Sequence, residues 1–378
     1  LELYLDDKFP KYSLLEQSKR NHMKTIMMFV PNHALGHTVE SVRLGLALKD
    51  SYNLIFVAEQ KAGDLLKRYG FKVITLPERE MFTDSDGIFF DGYIEHIVQA
   101  LIQSIKPNLI ISNHPCFTFS IPNESNQLEI PHIGIYGQFS RNMMKYLTES
   151  CDCVICTVPP CFSYYDSPKV KFVGPFVPIE NLNNELKDTK YQNLFTNKVI
   201  LVGMGGGGYR VETLHMLKTV SELAKLKPSY NFACVGDDDI MKFDASENVY
   251  KLGVVSPEIM DLLERKSYLG LVRAGKTSIE LASFDKPVIA LSLPNKKEQI
   301  QRAQNLANSG GAEHIKYDDL TLTNLIISFE RIEQSYQTYA TMMNNLNIHS
   351  GLPQALQTIY DYINPGVTNS IELHSRIY

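Results

Sequence analysis

Apolar runs of strand length alternate with helical patterns along most of the chain. In the helical segments, apolar residues recur every three or four positions, whereas the short runs are rich in Val, Ile and Phe. This alternation is typical of parallel sheets built from strand–helix–strand units, and it predicts an α/β protein. The predicted strands lie at 25–30, 54–58, 71–76, 109–112, 132–136, 152–157, 170–173, 199–202, 232–235, 249–252, 268–272 and 288–291.

One stretch interrupts the alternation and divides the chain. Residues 174–196 contain two prolines and a polar run, which is typical of a linker. At roughly 150 residues per domain, a chain of 378 residues has room for two. We therefore predict two Rossmann-like, doubly wound domains. The predicted segments are 1–22, a natural extension or an artificial remnant; 23–178, the first domain; 179–197, the linker; 198–350, the second domain; and 351–378, a C-terminal helix and tail.

The overall composition narrows the class of partner. The chain has 37 Lys and Arg residues against 42 Asp and Glu residues, a formal net charge of −5, and its basic residues form no stripe. Nucleic acid is therefore not the predicted partner. No run approaches the ~18 apolar residues that span a bilayer, and residues 1–22 lack the apolar centre of a signal peptide. These features predict a cytoplasmic protein whose membrane contact, if any, is peripheral.

Four of the six cysteines cluster at Cys151, Cys153, Cys156 and Cys161. The run around Cys153 and Cys156 has the pattern of a buried strand. Residues three apart on a strand point to opposite faces, so these two side chains are not expected to close on one metal ion. We therefore predict no metal site, and we interpret the cysteines as small buried apolar residues in a reducing compartment.

A cluster of glycines lies where a predicted strand of the second domain meets a helix. It consists of Gly205, Gly206, Gly207 and Gly208, and the helix begins near Arg210. Backbone N–H groups at such a turn approach an anion closely, and the helix N-terminus adds positive charge, so we predict a diphosphate ligand. A plain tight turn is the alternative. The spacing Gly203-x-Gly205-x-x-Gly208 also satisfies the dinucleotide fingerprint.

Two observations argue against a redox dinucleotide. The acidic residue that holds the ribose should follow about 20 residues on, but the nearest acidic run, Asp237–Asp239, lies roughly 30 residues away. A second helix-opening loop follows at 271–281. Two anion-binding loops suit a nucleotide diphosphate-sugar better. Arg210 and Arg273 would then neutralise the leaving diphosphate, and the alternative is that both are solvated surface charges.

The segment 249–312 resembles the donor half of inverting GT-B glycosyltransferases. It is most similar to the branch that contains the bacterial N-acetylglucosaminyltransferase forming lipid II. A glycine loop, a base-binding turn, a helix start with Gly275 and Glu280, and a Gln-bearing loop follow one another in the family's order. The resemblance implies two domains facing a central cleft, a UDP-sugar as co-substrate, and transfer that requires neither a cofactor nor a metal.

The resemblance also implies roles for residues of the second domain. The four glycines would contact the diphosphate, and Glu280 would accept hydrogen bonds from the ribose hydroxyls. Without the surrounding motif, Glu280 is predicted to be an ordinary exposed helix carboxylate. Gln301 would bind the transferred sugar. The other implied contacts are Val254 and Val255 with the base, and Gly275, Lys276 and Thr277 with the phosphates.

In the first domain, Gly36 and His37 follow the first strand, at the edge where doubly wound sheets bind ligands. This pair resembles the Gly-His of the acceptor domain in the same glycosyltransferases, where the histidine is the base or orients the acceptor. A helix-capping role for His37 is the alternative. In relatives an aspartate orients the histidine, and the corresponding strand here has Asn113. An amide can fix the tautomer but does not stabilise the charged ring as a carboxylate does.

The sequence therefore predicts a glycosyltransferase that moves a sugar from a UDP-sugar to a hydroxyl acceptor with inversion. The acceptor could be a glycan, a lipid-linked molecule or a small molecule. Segments 81–93 and 141–147 combine apolar and basic residues, and they are either contacts for a lipid-linked acceptor at a membrane surface or a buried loop. The alternative functions are a nucleotide-sugar hydrolase or 2-epimerase of the same fold, an NAD-dependent oxidoreductase, and a non-catalytic nucleotide-sugar-binding protein.

Overall fold

The chain divides into two compact units. The computed structural model describes residues 23–31, 35–77, 81–83, 88–90, 93–113, 115–117, 121–178, 191, 193–205 and 209–366. Of these, the residues up to Val158, Ser163–Phe176 and the residues from Gly351 onward form the first unit. Pro159–Phe162 and Val177–Ser350 form the second unit.

A parallel sheet of seven strands forms the centre of the first unit. The strands of this unit are β1 (Thr25–Val30), β2 (Asn53–Glu59), β3 (Lys72–Leu76), β4 (Met81–Thr83), β5 (Ile88–Phe90), β6 (Leu109–Asn113), β7 (His132–Tyr136), β8 (Cys153–Cys156) and β9 (Val170–Phe172). The sheet has the order β3-β2-β1-β6-β7-β8-β9, and β4 and β5 form a separate antiparallel pair. The order reverses between β1 and β6, which defines a doubly wound sheet.

The second unit repeats this plan with six parallel strands. They are β10 (Lys198–Gly203), β11 (Tyr230–Val235), β12 (Val249–Gly253), β13 (Leu269–Arg273), β14 (Val288–Ser292) and β15 (Ala312–Lys316). Their order is β12-β11-β10-β13-β14-β15, so the reversal falls between β10 and β13. The two Rossmann-like sheets that the sequence predicts are therefore present.

Helices connect the strands, and the central strands are almost completely buried. β6 is buried along its whole length, and β1 is buried apart from Thr25. Strands covered on both faces need continuous apolar runs, which explains why the strand pattern was visible in the sequence. The helices are α1 (Leu35–Leu48), α2 (Gln60–Arg68), α3 (Tyr93–Ile105), α4 (Pro122–Gln127), α5 (Arg141–Ser150), α6 (Arg210–Leu226), α7 (Pro257–Lys266), α8 (Lys276–Ala282), α9 (Lys297–Asn308), α10 (Leu322–Gln334), α11 (Tyr336–Asn344) and α12 (Leu352–Ile363).

The last helix, α12, returns to the first unit. Its buried side chains join the same apolar cluster as residues of β1 and β2. At its start, the Gly351 N–H donates to the Pro175 carbonyl, and a Cβ at Gly351 would lie 2.5 Å from the Gly174 carbonyl oxygen. The sequence predicted a helix in 351–378 but did not assign it to either domain. Only its packing against the first sheet makes this assignment.

The predicted linker, 179–197, differs from the structure at its end. Residues 179–190 and 192 lie outside the described residues. Leu194 is fully buried in the core of the second unit, and Asn231 of β11 donates from Nδ2 to the carbonyls of Asn193 and Leu194. The stretch 193–197 is therefore part of the second unit, because a buried leucine and satisfied carbonyls tie it to that sheet.

Two further predictions are corrected, and one strand was not predicted. The alternative that residues 141–147 form a buried loop is wrong, because Ser140 caps the helix α5, whose Met144 and Leu147 are buried. Cys161 is exposed, whereas Cys151, Cys153 and Cys156 are buried as predicted. The strand β15 was not predicted, because only part of its sequence, AEHIK, is apolar.

The described residues contain neither a membrane-spanning helix nor a cluster of metal-binding side chains. No described helix is both long enough and apolar enough to cross a membrane. Within the described ranges, no three His, Cys, Asp or Glu side chains come together in a way that could hold a metal ion.

Candidate functional site

Four of the predicted site residues lie at the two points where the strand order reverses. His37 follows β1, and Asn113 is the last residue of β6, the strand next to it. Gly205 follows β10, and Arg273 is the last residue of β13, again the neighbouring strand. Open α/β sheets bind ligands at the carboxyl ends of the strands at such a reversal. The topology thus brings together, within each unit, residues that are distant in sequence.

The turn after β10 requires glycine at position 205. Gly205 has a φ of +86°, and an added Cβ would lie 2.6 Å from Nη2 of Arg273. Glycine is the residue that adopts this backbone conformation at little cost, and it also leaves room for the guanidinium. Gly206, Gly207 and Gly208, predicted to contact the diphosphate, lie outside the described residues.

Arg273 is the most informative side chain of the second unit. Its Nε and Nη1 atoms are buried and have no hydrogen-bond partner in the part of the chain that the structure describes. The guanidinium lies over the ring of Tyr209, 4.6 Å from the centroid. Burial lowers the pKa of Arg273, and the charges of Tyr209 and Glu298 oppose that shift. Buried donors are normally satisfied, so this arrangement is suited to an anionic ligand beside Gly205.

The loop that follows Arg273 is held by its own side chains. Arg302, buried on α9, donates from Nη1 to the Ala274 carbonyl at 2.9 Å. Ser278 donates from Oγ to the Gly275 carbonyl at 2.7 Å, and the Gly275 N–H donates to the Arg273 carbonyl. The sequence analysis did not identify Arg302, because a lone arginine on a helix carries no positional signal.

Glu280 is buried, only 8% exposed, on the short helix α8. The expectation of an ordinary exposed carboxylate, which rests on residue type alone, is therefore wrong, since the residues from Ser278 to Ala282 of α8 are all buried. Lys276 and Thr277 are half-buried at the start of the same helix. The predicted contacts of all three with ribose and phosphates stay predictions.

The predicted base-binding turn follows β12. Gly253 has a φ of +68°, and a Cβ there would overlap the Asp238 carboxylate. That carboxylate accepts the Val254 N–H at 3.2 Å. Val254 is 61% exposed, and Val255 is half-buried against the core of the second unit. Asp238 was considered in the sequence only as a candidate ribose ligand, whereas in the structure it holds this turn.

The remaining predicted donor residues, Gln301 and Arg210, are exposed. Gln301 donates from Nε2 to Asn305, one turn further along α9. It is the nearby Gln299 that is buried, and its Oε1 accepts the Leu293 N–H. Arg210 is the first residue of α6, and its charge contributes to lowering the pKa of Asp239. Neither side chain is brought against Arg273 by a described contact.

In the first unit, Asn113 fixes the tautomer of His37. Its Nδ2 donates to the His37 carbonyl and to Ser41 Oγ, both at 2.9 Å. A carbonyl oxygen can only accept, so the amide cannot be flipped, and its Oδ1 faces His37 Nδ1 at 3.1 Å. In the neutral ring the proton therefore lies on Nδ1 and the lone pair on Nε2. The prediction that an amide here could set the tautomer agrees with this geometry.

A carboxylate that the sequence analysis missed lies beside the same ring. Glu40 Oε2 is 3.9 Å from His37 Nδ1, and both side chains are buried. The signal was available, because residues three apart on a helix face the same side.

Comparisons with known proteins agree with the fold. Residues 219–359 match the model of the glycosyltransferase family 28 C-terminal domain. Among solved structures, the chain is similar to the glycotransferase of kitacinnamycin, with a TM-score of 0.67 and 14% identity over 90% of this chain and 99% of that chain. It is similarly related to the S. aureus MnaA–UDP co-structure, with a TM-score of 0.65 and 15% identity over 92% of this chain and 99% of that one. The protein is a glycosyltransferase with the GT-B fold.

Sequence comparison narrows the branch. The chain is 23% identical over 274 residues to the UDP-N-acetylglucosamine–N-acetylmuramyl-(pentapeptide) pyrophosphoryl-undecaprenol N-acetylglucosamine transferase of Lactococcus lactis subsp. lactis (strain IL1403). The match covers 70% of this chain and 74% of that protein. The glycosyltransferase is thus similar to the lipid II-forming branch, as the motifs of the second domain predicted.

Proposed function

We propose that the protein transfers a sugar from a UDP-sugar to a hydroxyl acceptor with inversion at the anomeric carbon. The observation that carries the proposal is the half-buried Arg273 beside Gly205, whose buried Nε and Nη1 atoms are without hydrogen-bond partners in the described structure. A diphosphate would satisfy these donors. Two comparisons favour UDP as the nucleotide, since the Lactococcus lactis relative is named for a UDP-sugar and the S. aureus structure contains UDP.

On the donor side, the residues of the second unit stabilise the leaving group. Negative charge grows on the diphosphate as the bond from its oxygen to the anomeric carbon breaks, and a preorganised cation favours that charge. Arg273 supplies the cation, and Gly205 allows the close approach. Glu280 binds the ribose, Val254 and Val255 line the base, and Gly275, Lys276 and Thr277 contact the phosphates in this proposal. Arg302 and Asp238 hold the two loops in position.

On the acceptor side, His37 is the base. Its Nε2 lone pair removes the proton of the acceptor hydroxyl as that oxygen attacks the anomeric carbon. The electron pair of the broken bond leaves with UDP. Because the displacement is a single step, the configuration at the anomeric carbon inverts. Asn113 holds the proton of the neutral ring on Nδ1, so the lone pair that takes the acceptor proton is on Nε2.

The name of the Lactococcus lactis relative makes a lipid-linked hydroxyl the first acceptor to test. Transfer to such an acceptor would take place at a membrane surface, and we propose the cytoplasmic side. On α5, the apolar Met144 and Leu147 are buried, while Arg141 and Lys145 are exposed. This helix would therefore approach an anionic membrane through its basic residues and not by inserting apolar ones.

The function is tested by following UDP release from UDP-N-acetylglucosamine and UDP-glucose. Each donor is incubated alone and with an acceptor: N-acetylmuramyl-pentapeptide pyrophosphoryl-undecaprenol, octyl glucoside or 4-nitrophenol. We expect release that depends on the acceptor, and a β-linked product by NMR from the α-linked donor. Release without acceptor at the same rate indicates a hydrolase, and interconversion of the donor sugar indicates an epimerase. UDP binding without turnover of any donor indicates a binding protein.

A further inference from the structure

The carboxylate of Glu40 is placed to act on His37. Both residues belong to α1, three positions apart, and Oε2 of Glu40 is 3.9 Å from Nδ1 of His37. Glu40 is 3% exposed and His37 is 4% exposed, so little water separates or screens them. At this distance, two opposite charges that are shielded from water attract each other far more strongly than they do on a surface.

Proton transfer to His37 creates a positive charge on the ring, and Asn113 carries no negative charge to balance it. While the ring is neutral, its Nδ1–H donates to Asn113 Oδ1, and the contact is satisfied. Once Nε2 has taken the acceptor proton, the ring is a buried cation. An amide offers it a dipole but no charge, and a buried charge without a counter-charge is costly.

We propose that Glu40 is a positioning residue that stabilises the protonated form of His37 during sugar transfer. The inference rests on the proposed function, in which His37 is the base. In this proposal, Asn113 determines which ring nitrogen carries the proton in the neutral form, and Glu40 balances the positive charge of the protonated ring. The carboxylate is supplied by the helix and not by the strand.

The first unit has other polar groups besides Glu40, and one of them provides a control for it. Ser41 accepts from Asn113, and Arg43 donates from Nη1 to the Phe176 carbonyl at 2.7 Å. Glu59, 6% exposed, ends β2 at the same edge of the sheet. Glu59 is therefore a second buried carboxylate in the same unit, and it provides a matched control.

The test compares Glu40→Gln with Glu59→Gln and with the unchanged enzyme, using the fastest donor and acceptor pair from the assay above. Glutamine keeps the size of the side chain and removes its charge. We expect Glu40→Gln to lower kcat by about tenfold to a hundredfold, a part of the 10²–10⁴ that a general base contributes. The KM for the donor and the Kd for UDP should stay within about twofold, because the loss arises only as charge develops. Glu59→Gln should leave kcat within about twofold.

Two further measurements separate charge stabilisation from a structural effect. With 4-nitrophenol, whose hydroxyl is acidic, less proton transfer to His37 is needed, so the deficit of Glu40→Gln should be smaller than with octyl glucoside. Glu40→Asp, which keeps a carboxylate on a shorter side chain, should recover part of the lost rate. A purely structural role would give the same deficit with both acceptors and no recovery.

The possible outcomes are distinct. An active enzyme in which Glu40→Gln matches the unchanged protein, or in which Glu59→Gln is equally slow, overturns the role of Glu40 and leaves the proposed function standing. If the unchanged protein releases no UDP with any donor and acceptor, the proposed function fails and the role of Glu40 fails with it. Acceptor-dependent transfer with the selective loss in Glu40→Gln supports both.

Discussion

The sheets of the two units share one plan of strand order. The side chains at the point where the order reverses differ in chemistry between the two units. In the first unit, the reversal between β1 and β6 holds His37, a side chain that can gain and lose a proton, with an amide and a carboxylate around it. In the second, the reversal between β10 and β13 holds Arg273, a permanent cation whose buried Nε and Nη1 have no partner among the described residues. The topology thus determines where each candidate site lies, and the side chains determine whether it is suited to a proton or to an anion.

A second buried histidine of the first unit shows that burial alone does not make such a site. His132 lies on β7, 1% exposed, with Nε2 2.8 Å from Ser112 Oγ and 3.9 Å from Cys151 Sγ. Burial lowers its pKa to about 4, and burial raises the pKa of Cys151 well above its usual range. Both groups are therefore neutral near pH 7. The neighbouring Ser112 and Asn113 of one strand serve two histidines in different surroundings.

The largest expected effect is a loss of turnover, without a loss of UDP binding, when His37 is replaced. His37→Ala should lower kcat by about 10³-fold, within the range that general bases contribute, while the Kd for UDP stays within about twofold. Steady-state kinetics and calorimetric titration with UDP measure the two quantities. His96→Ala, which removes an exposed histidine of α3, is the control and should be neutral. An unchanged kcat in His37→Ala would remove the histidine from the mechanism.

The second expected effect is on acid stability, and it concerns the buried His132. The native pKa of His132 is about 4, against about 6.5 in an unfolded chain, so the unfolded state binds this proton first as the pH falls. Its contribution to stability is present above pH 6.5 and is lost between about pH 6.5 and 4. The full loss is about 3 kcal/mol, at 1.36 kcal/mol per pKa unit.

Replacement by a residue that does not titrate isolates this contribution. In urea unfolding at pH 7.5 and pH 4.5, His132→Gln should lose less stability between the two pH values than the unchanged protein. The carboxylates contribute equally to both proteins and cancel in the comparison. Parallel pH dependences of the two proteins would show that His132 does not limit acid stability.

A smaller effect is expected when the cation of the second site is removed. Arg273→Met should weaken UDP binding by roughly 10- to 100-fold, since hydrogen bonds to charged groups contribute about 1.5–3 kcal/mol. The Tm of the unliganded protein should not fall, because the lost guanidinium has buried donors without partners among the described residues. Arg331→Met, at an exposed ion pair with Glu313, is the control. Undiminished UDP affinity in Arg273→Met would place the diphosphate elsewhere.

The fold was largely predictable, and the reason lies in β1, β6 and β10. These central strands are covered on both faces, so they need unbroken apolar runs that stand out in the sequence. The edge strand β15 and the stretch 193–197 were missed or misassigned. The carbonyls of Asn193 and Leu194 are satisfied by Asn231, which is distant in sequence, and no local pattern reports such a contact.

Backbone geometry requires glycine at position 205, where the glycine cluster of the sequence had indicated a turn. The motifs directed attention to Gly275 and His37, whose roles stay predictions. The supporting side chains were not predicted. Arg302 and Asp238 act on loops that meet them only in the folded unit. The role of Glu280 stays a prediction of its motif, and its burial was not predicted from its residue type.

The sequence by itself determined two doubly wound units, the two loops that follow their central strands, and the chemical type of the residues on them. It did so because buried strands, turns with left-handed backbone and helix starts each require particular residue types at particular positions. The tertiary structure decided the partners: Asn113 and Glu40 for His37, and Gly205 and Tyr209 for Arg273. Except for Glu40, which lies one helical turn from His37, these partners come from other strands and loops, because a parallel sheet places residues that are remote in sequence side by side at one edge.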